Sequence, residues 1–291
     1  MNRFGIPVEL KYVPSLDPDF MPLLRFNRAF LADAKKPVSI AVERDRGQIA
    51  AYHTFIHGTE EAREADCYYM DRLVKTILWM KGGFRVYVRG DEEMFQTLKE
   101  AYAPGGSRAF DAEFMAGVYE HPFEVVSCRE LPPEKDESQP IGRHLEGCRI
   151  GFDAGGSDRK VSAVIDGESV FSEEVVWFPK VTEDPDYHFQ GIVDAMKSAA
   201  AHMPRVDAIG VSSAGIYIEN RTMVASLFLK VPKDLFEQKV KDIYIRAAKE
   251  IGDVPLVVCN DGDVTALAGA MSLEDNNVLG IAMGTSEAVG Y

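Results

Sequence analysis

A glycine-rich stretch at residues 150–160, IGFDAGGSDRK, carries the most distinctive chemistry of the sequence. An apolar strand ends on the carboxylate of Asp153, and the chain then turns through Gly155 and Gly156 to the hydroxyl of Ser157. Glycine lets backbone N–H groups approach an anion closely, so the pattern predicts a phosphate-binding loop. A carboxylate at the strand tip could hold the Mg²⁺ that accompanies a nucleotide. An ordinary hairpin turn explains the stretch about equally well.

A second group of polar residues, 260–263, follows an apolar run and precedes a helical pattern. A carboxylate at such a strand tip could accept the proton of a substrate hydroxyl as that oxygen attacks a γ-phosphorus, and we assign this role to Asp261. Asn260 would orient the sugar or the nucleophile, and Asp263 would bind the metal ion or cap the helix. The alternative is structural, because Asn, Asp and Gly are also standard helix-cap and turn residues.

Two further turns offer similar groups. The apolar strand at residues 278–283 runs into Gly284, Thr285 and Ser286, which repeats the backbone and hydroxyl donors of the first loop. The turn at residues 212–215 could bind a polyol, although a plain strand-to-helix turn explains it equally well. The first glycine loop, the Asn-Asp strand tip and the second loop follow one another in the order that a two-lobed nucleotide clamp requires.

The elements that must position these loops form a predicted α/β mixed sheet in the second half of the chain. Strands are predicted at residues 149–154, 160–165, 169–177, 206–211 and 255–259, and helices at 187–202, 232–251 and 264–271. The first three strands form a meander. In such a sheet, ligands bind at the loops that leave the carboxyl ends of the strands.

The first half of the chain is predicted to be a separate α/β domain of unknown role, residues 1–145, with a Pro-rich, charged linker at about 131–145. Its predicted elements are a hairpin at 38–42 and 49–55, a helix ending at Gly82, a strand at 84–88, a helix at 91–102 and a strand at 123–126.

Composition limits the classes of function. The chain has 291 residues, 46% of them hydrophobic, which suggests about two globular domains. A formal charge of −14 repels phosphate backbones and anionic lipids, so we expect neither nucleic acid nor a membrane as a partner. The four cysteines are scattered without zinc-ligand spacing, and the N-terminus has no apolar signal segment, so we expect a cytoplasmic protein with reduced thiols. The sequence permits a homo-oligomer.

The three motifs together resemble a known family. Residues 152–157 are similar to the first phosphate motif of the actin-like ATPase superfamily, and residues 258–270 and 280–286 resemble the ROK group of that superfamily, which contains bacterial glucokinases and sugar-responsive repressors. The resemblance covers roughly the second half of the chain. It implies a ribonuclease-H-like lobe at residues 146–275, ATP and Mg²⁺ as cofactors, and Asp261 as the catalytic base. It also implies sugar contacts from Ser213, Gly215, Ser226 and Asn260.

The sequence departs from the family pattern at several points. Ser157 stands where threonine is usual, Ser286 where glycine is usual, and Asp263 where asparagine is common. Residues 276–291 would begin a second lobe, and the family's later sugar and zinc motifs are absent before Tyr291. We therefore expect the chain to be part of a longer protein, although the N-terminal domain could instead supply the opposing lobe.

Two functions from different classes follow from these observations. The first is ATP- and Mg²⁺-dependent phosphoryl transfer to a sugar hydroxyl. The second is a non-catalytic sensor or assembly module that keeps the fold and binds the sugar or the nucleotide. The carboxylate at position 261 favours the first, and the incomplete second lobe favours the second.

Overall fold

The computed structural model describes residues 1–137, 141–284 and 287–291, in two compact units, Met1–Ser138 and Gln139–Tyr291. We call these the N-terminal and C-terminal units, and each is described by itself. Among the residues that the structure describes, none of the helices combines the length and the apolarity that a membrane span requires.

The N-terminal unit is an α/β structure around a four-stranded sheet of order β4-β3-β5-β6. Its elements are β1 (Asn2–Arg3), β2 (Ile6–Pro7), α1 (Leu23–Leu31), β3 (Lys36–Arg44), β4 (Gln48–Ile56), α2 (Arg63–Lys81), β5 (Arg85–Arg89), α3 (Glu92–Ala101), α4 (Ala109–Tyr119) and β6 (Glu124–Ser127). Strands β3 and β4 form the predicted hairpin.

Local sequence explains where these helices begin and end. Asp91 caps α3 by accepting a hydrogen bond from the Met94 N–H at 2.8 Å. Gly82 ends α2 in a left-handed conformation, with φ at +75°, which glycine adopts without strain. Helices α1 and α4 were not predicted. The first part of the predicted linker is held by this unit, because Asp136 forms ion pairs with Arg44 and Lys81.

The C-terminal unit contains thirteen α-helices and β-strands in the part of the chain that the structure describes. They are β7 (Cys148–Ala154), β8 (Asp158–Ile165), β9 (Glu168–Val176), α5 (Pro185–Ala200), β10 (Ala208–Ser213), β11 (Gly215–Ile218), β12 (Arg221–Ala225), α6 (Lys233–Leu235), α7 (Ile243–Lys249), β13 (Leu256–Asn260), α8 (Asp261–Leu273), β14 (Gly280–Met283) and β15 (Glu287–Gly290).

The main sheet of this unit has the order β13-β10-β7-β8-β9. Strands β7, β8 and β9 form an antiparallel meander, whereas β10 and β13 run parallel to β7. Alternate residues of β7, such as Ile150 and Phe152, are buried in one core with Ile192 and Met196 of α5. A meander followed by two parallel strands on the other side of the first strand is the ribonuclease-H-like arrangement, so the predicted fold class is confirmed.

Two local predictions in this unit were wrong. The predicted helix at 232–251 contains a π-helical turn, Phe236–Val240, and is broken after it, where the Lys241 carbonyl accepts a hydrogen bond from the Thr222 N–H in β12 at 2.8 Å. The predicted simple turn after β10 leads instead into the β11–β12 hairpin. Its two turn residues, Glu219 and Asn220, both have positive φ, as a two-residue hairpin turn requires.

Candidate functional site

Three neighbouring parallel strands bring polar residues to one edge of the sheet. Asp153 in β7 lies directly opposite Ser212 in β10, and Ser212 lies opposite Cys259 in β13. Asp261 then begins α8, two residues after Cys259. The carboxyl ends of these strands therefore present a polar edge, where a sheet of this kind binds ligands.

A cleft of about 610 Å³ opens at this edge. Seven of the residues predicted to bind or to act on ligands line it: Asp153, Gly155, Gly156, Ser157, Ser226, Asp261 and Gly284. Ser212 of the predicted 212–215 turn also lines it, as do three polar residues to which the sequence interpretation gave no role: Asp158, Lys160 and Thr265. The glycine loop, the start of α8 and the end of β14 thus share one cleft.

The glycine loop between β7 and β8 is a tight, anchored turn. A Cβ atom on Gly155 would lie 2.5 Å from the Asp158 carbonyl oxygen, so a larger residue would force the loop open. The loop is held by Trp177, which is 2% exposed. Its indole Nε1–H donates to the Gly155 carbonyl at 2.8 Å, and its backbone N–H donates to the Ser157 carbonyl at 3.1 Å. Trp177 follows β9 directly, and only its size and position in the meander could have indicated this role.

Asp153 lies half-buried at the base of the cleft. Burial raises the pKa of Asp153, and the neighbouring charges of Asp261 and Asp158 act in the same direction. A hydrogen bond with the Ser212 side chain and the ammonium group of Lys160 partly oppose this rise in pKa. A carboxylate whose charge is poorly compensated, at the end of a strand, is typical of a ligand-binding position.

Asp261 occupies the first turn of α8, and Asn260 fixes that turn. The Asn260 Oδ1 atom accepts a hydrogen bond from the Gly262 N–H, and its Nδ2 atom donates to the Gly215 carbonyl, both at 2.8 Å. Asn260 does not line the cleft, and both ends of its amide already bond to the backbone. These bonds fix the position of Asn260 at the start of α8, and its predicted contact with substrate stays a prediction.

Several other predicted site residues lie away from the cleft lining. Ser213 is 1% exposed; its hydroxyl donates to the Ala154 carbonyl at 3.3 Å and accepts from the Tyr244 hydroxyl at 3.2 Å. Gly215 and Asp263 are not lining residues. Partial burial of its carboxyl group and the charge of Asp261 raise the pKa of Asp263, although the residue as a whole is exposed. Thr285 and Ser286 lie outside the described residues.

The hairpin of β14 and β15 packs directly against α8. A Cβ atom on Gly262 would lie 2.8 Å from both the backbone nitrogen and the carbonyl carbon of Val289 in β15. At Gly280, a Cβ atom would overlap the backbone of Ala266 in α8. Helix and hairpin therefore approach each other backbone to backbone, and this contact places Gly284 at the cleft.

A second cavity of about 680 Å³ adjoins the cleft on one face of the sheet and shares Asp153, Lys160 and Ser212 with it. Its lining is mainly apolar, with Val257 and Leu267 among the side chains. Apolar walls cannot replace the hydration of a phosphate group. The polar cleft beside it is therefore the better position for an anion.

The donor groups of the cleft fit a hard cation. Asp153 and Asp261 both supply carboxylate oxygens to the same space. Within residues 1–137, 141–284 and 287–291, no group of three or more acidic, histidine or cysteine side chains could hold a metal by itself. Mg²⁺ bound with a nucleotide needs only one or two carboxylates, because water and phosphate oxygens complete its shell. Asp153, with Asp261 beside it, meets that requirement.

Comparison with known proteins gave matches only among solved structures, since no protein-family model and no curated protein matches the chain. ROK hexokinase from Thermus thermophilus is 18% identical over 42% of this chain and 37% of its own, with a TM-score of 0.32. Glucokinase from Parabacteroides distasonis is 19% identical over 44% and 35%, with a TM-score of 0.34. The ethanolamine utilization protein EutJ from Carboxydothermus hydrogenoformans is 12% identical over 51% and 48%, with a TM-score of 0.32. The chain thus spans less than half the length of each of these proteins.

Proposed function

We propose that the C-terminal unit binds ATP with Mg²⁺ in this cleft and transfers the γ-phosphoryl group to a sugar hydroxyl. The supporting observation is that the glycine loop with Asp153, the start of α8 with Asp261, and Gly284 line a single cleft. Phosphoryl transfer depends chiefly on positioning and electrostatics, and these three segments supply the required backbone donors and carboxylates.

Three parts of the cleft have separate roles in this proposal: the glycine loop, Asp153 and Asp261. Backbone N–H groups of the glycine loop and the Ser157 hydroxyl bind phosphate oxygens. Asp153 holds the cation, which, when bound, neutralises the charge that develops on the phosphates. Asp261 accepts the proton of the attacking hydroxyl, for which it must be ionised. A cation held by Asp153 would also offset the charge of Asp261, which contributes to the raised pKa of Asp153.

Few of the residues predicted to contact the sugar line the cleft. Of the four predicted sugar contacts, only Ser226 lines the cleft, whereas Ser213 and Asn260 are bonded to protein atoms. This observation favours a second candidate, a nucleotide-binding sensor or assembly module without transfer activity.

We also propose that the protein is located in the cytoplasm. Its four cysteines are free, and thiols remain reduced in that compartment.

ADP release over a panel of hexoses and hexosamines, measured with ATP and Mg²⁺, tests the first candidate. We expect Asp261→Asn to lower the turnover number about a hundredfold or more, since general-base catalysis contributes on this scale. Asp253→Asn, at an exposed position before β13, is the matched control and should leave turnover unchanged. Turnover that survives Asp261→Asn would exclude the proposed base.

A ligand-induced shift of the thermal midpoint separates the two candidates. ATP with Mg²⁺ should raise the midpoint in both cases, because a ligand that binds only the folded state stabilises it. Binding without ADP release on any sugar would favour the sensor, and the absence of any shift would contradict both candidates.

A further inference from the structure

Asp158 closes the glycine loop and begins β8, with its carboxylate in the cleft lining. One oxygen accepts a hydrogen bond from the Ser157 hydroxyl at 3.1 Å, and the other pairs with the Lys160 ammonium at 2.7 Å. These two donors lower the pKa of Asp158, the Lys160 bond contributing most. Asp158 therefore remains ionised and holds both side-chain donors of the loop.

Ser157 and Lys160 are also the groups that a phosphate bound to this loop would meet. Both residues are exposed and both line the cleft. A hydroxyl and an ammonium next to glycine N–H groups are typical phosphate donors. The Asp158 carboxylate thus occupies the side-chain contacts that a phosphate oxygen requires.

The charge of the cleft works in the same direction. Its lining contains three carboxylates, on Asp153, Asp158 and Asp261, and one ammonium group, on Lys160. A lining of this sign repels a free triphosphate and attracts a cation. Exposed ion pairs such as Asp158–Lys160 contribute little to stability, so a phosphate group can exchange for the carboxylate at small cost.

We propose that Asp158 is an internal anion that occupies Ser157 and Lys160 until a phosphate group displaces it. The cleft consequently rejects metal-free nucleotide and accepts the nucleotide as its Mg²⁺ complex. This inference rests on the proposed function, because it concerns phosphate binding at the same loop. It assigns Lys160 as a phosphate-binding residue and Asp158 as the residue that makes binding depend on the cation.

Calorimetric titration of the full chain with ATP and with inorganic pyrophosphate, each with and without Mg²⁺, tests the inference. Asp158→Asn keeps the size of the side chain and an acceptor for Ser157, but removes the charge. We expect it to bind metal-free ATP and pyrophosphate about tenfold more tightly than the unmodified chain, with a smaller gain for the Mg²⁺ complexes. Glu174→Gln is the matched control, because Glu174 lies 4.0 Å from the Lys160 ammonium but outside the cleft lining, and it should change neither affinity.

Lys160→Gln should weaken binding of both anions about tenfold, and in the Asp158→Asn background it should cancel most of the gain. Thermal midpoints establish that each variant is folded. If Asp158→Asn does not fold, Asp158→Ser replaces it, and we expect the same tighter binding of metal-free ATP and pyrophosphate.

The outcomes separate this inference from the proposed function. If the unmodified chain binds Mg²⁺-ATP but Asp158→Asn binds metal-free ATP no better than Glu174→Gln does, the inference is wrong while the proposed function stands. If the unmodified chain binds no nucleotide but Asp158→Asn binds pyrophosphate, the masking role is supported and ATP is the wrong ligand. If neither protein binds any of the four ligands, both proposals fail.

Discussion

The surroundings of the carboxylates differ between the two units: those of Asp66 and Asp111 are buried and fully paired, whereas that of Asp153 is half-buried beside other carboxylates. In the N-terminal unit, the oxygens of Asp66 accept hydrogen bonds from the backbone N–H groups of His57 and Gly58, at 2.9 and 2.8 Å. Asp111 is likewise satisfied, by the Lys75 ammonium and the Trp79 indole. Asp153 in the C-terminal unit instead has Asp261 nearby, and burial raises its pKa. The surroundings, and not the residue type, therefore separate a structural carboxylate from a candidate functional one.

Removal of a satisfied carboxylate should have the largest effect on stability. Asp111→Ala leaves Lys75 and the Trp79 indole without their shared acceptor, and we expect the free energy of unfolding of the N-terminal unit to fall by about 3 kcal/mol. Glu113→Ala, at an exposed position of the same helix, should change it by less than about 0.5 kcal/mol. Urea denaturation followed by circular dichroism measures both. Equal effects would show that Asp111 has no special role.

A pair of glycine substitutions extends the comparison to the backbone. Gly155→Ala in the glycine loop should destabilise the C-terminal unit by about 2 kcal/mol through overpacking against the Asp158 carbonyl, and should abolish the proposed nucleotide binding. Gly117→Ala in α4 meets no atom within 4 Å and should stabilise the N-terminal unit by about 0.5 kcal/mol. Denaturation curves and ATP titrations of both variants provide the test. Unimpaired nucleotide binding by Gly155→Ala would contradict the loop assignment.

Neutralisation of Asp153 should stabilise the protein while it weakens ligand binding. We expect Asp153→Asn to raise the free energy of unfolding at pH 7 by about 1 kcal/mol, as is common when a strained site is relieved, and to weaken Mg²⁺-ATP binding at least tenfold. Asp194→Asn, at an exposed position of α5, is the control and should change neither.

The stabilisation by Asp153→Asn should also depend on pH. Because the pKa of Asp153 is raised in the folded state, the unmodified chain loses stability as the pH rises above the ordinary value of 3.8 and through the raised value. The variant lacks this loss, so its advantage should be largest at neutral pH and should vanish below about pH 3.8. Thermal midpoints of both proteins across this range provide the measurement. A difference between them that does not change with pH would contradict the raised pKa of Asp153.

Much of the C-terminal unit was predictable because its signals are local. The apolar alternation of β7 and the Asn260 helix cap each depend on neighbouring residues. The proximity of the loops after β7, β10 and β13 followed from the rule that parallel strands end at one edge. The roles of Trp177 and Asp158 were missed, since both depend on contacts that appear only when β9 and the loop are in place.

The N-terminal unit shows the limit of the same approach. Helix α4 was missed because its apolar and polar residues are mixed around the helix, with Asp111 buried against Lys75 and Trp79. The hydrogen-bond partners of Ser213 and Asn260 could not be predicted from the sequence either. A hydroxyl or amide at a strand end can face a ligand or the protein, and only tertiary packing decides which.

The backbone contact between Gly262 and Val289 has a mechanical consequence for the cleft. Because the start of α8 and the β14–β15 hairpin touch without intervening side chains, a displacement of the hairpin carries Asp261 with it. We therefore expect the start of α8 and the hairpin to move together. The width of the cleft would then change by their movement relative to the glycine loop, which is bonded to Trp177.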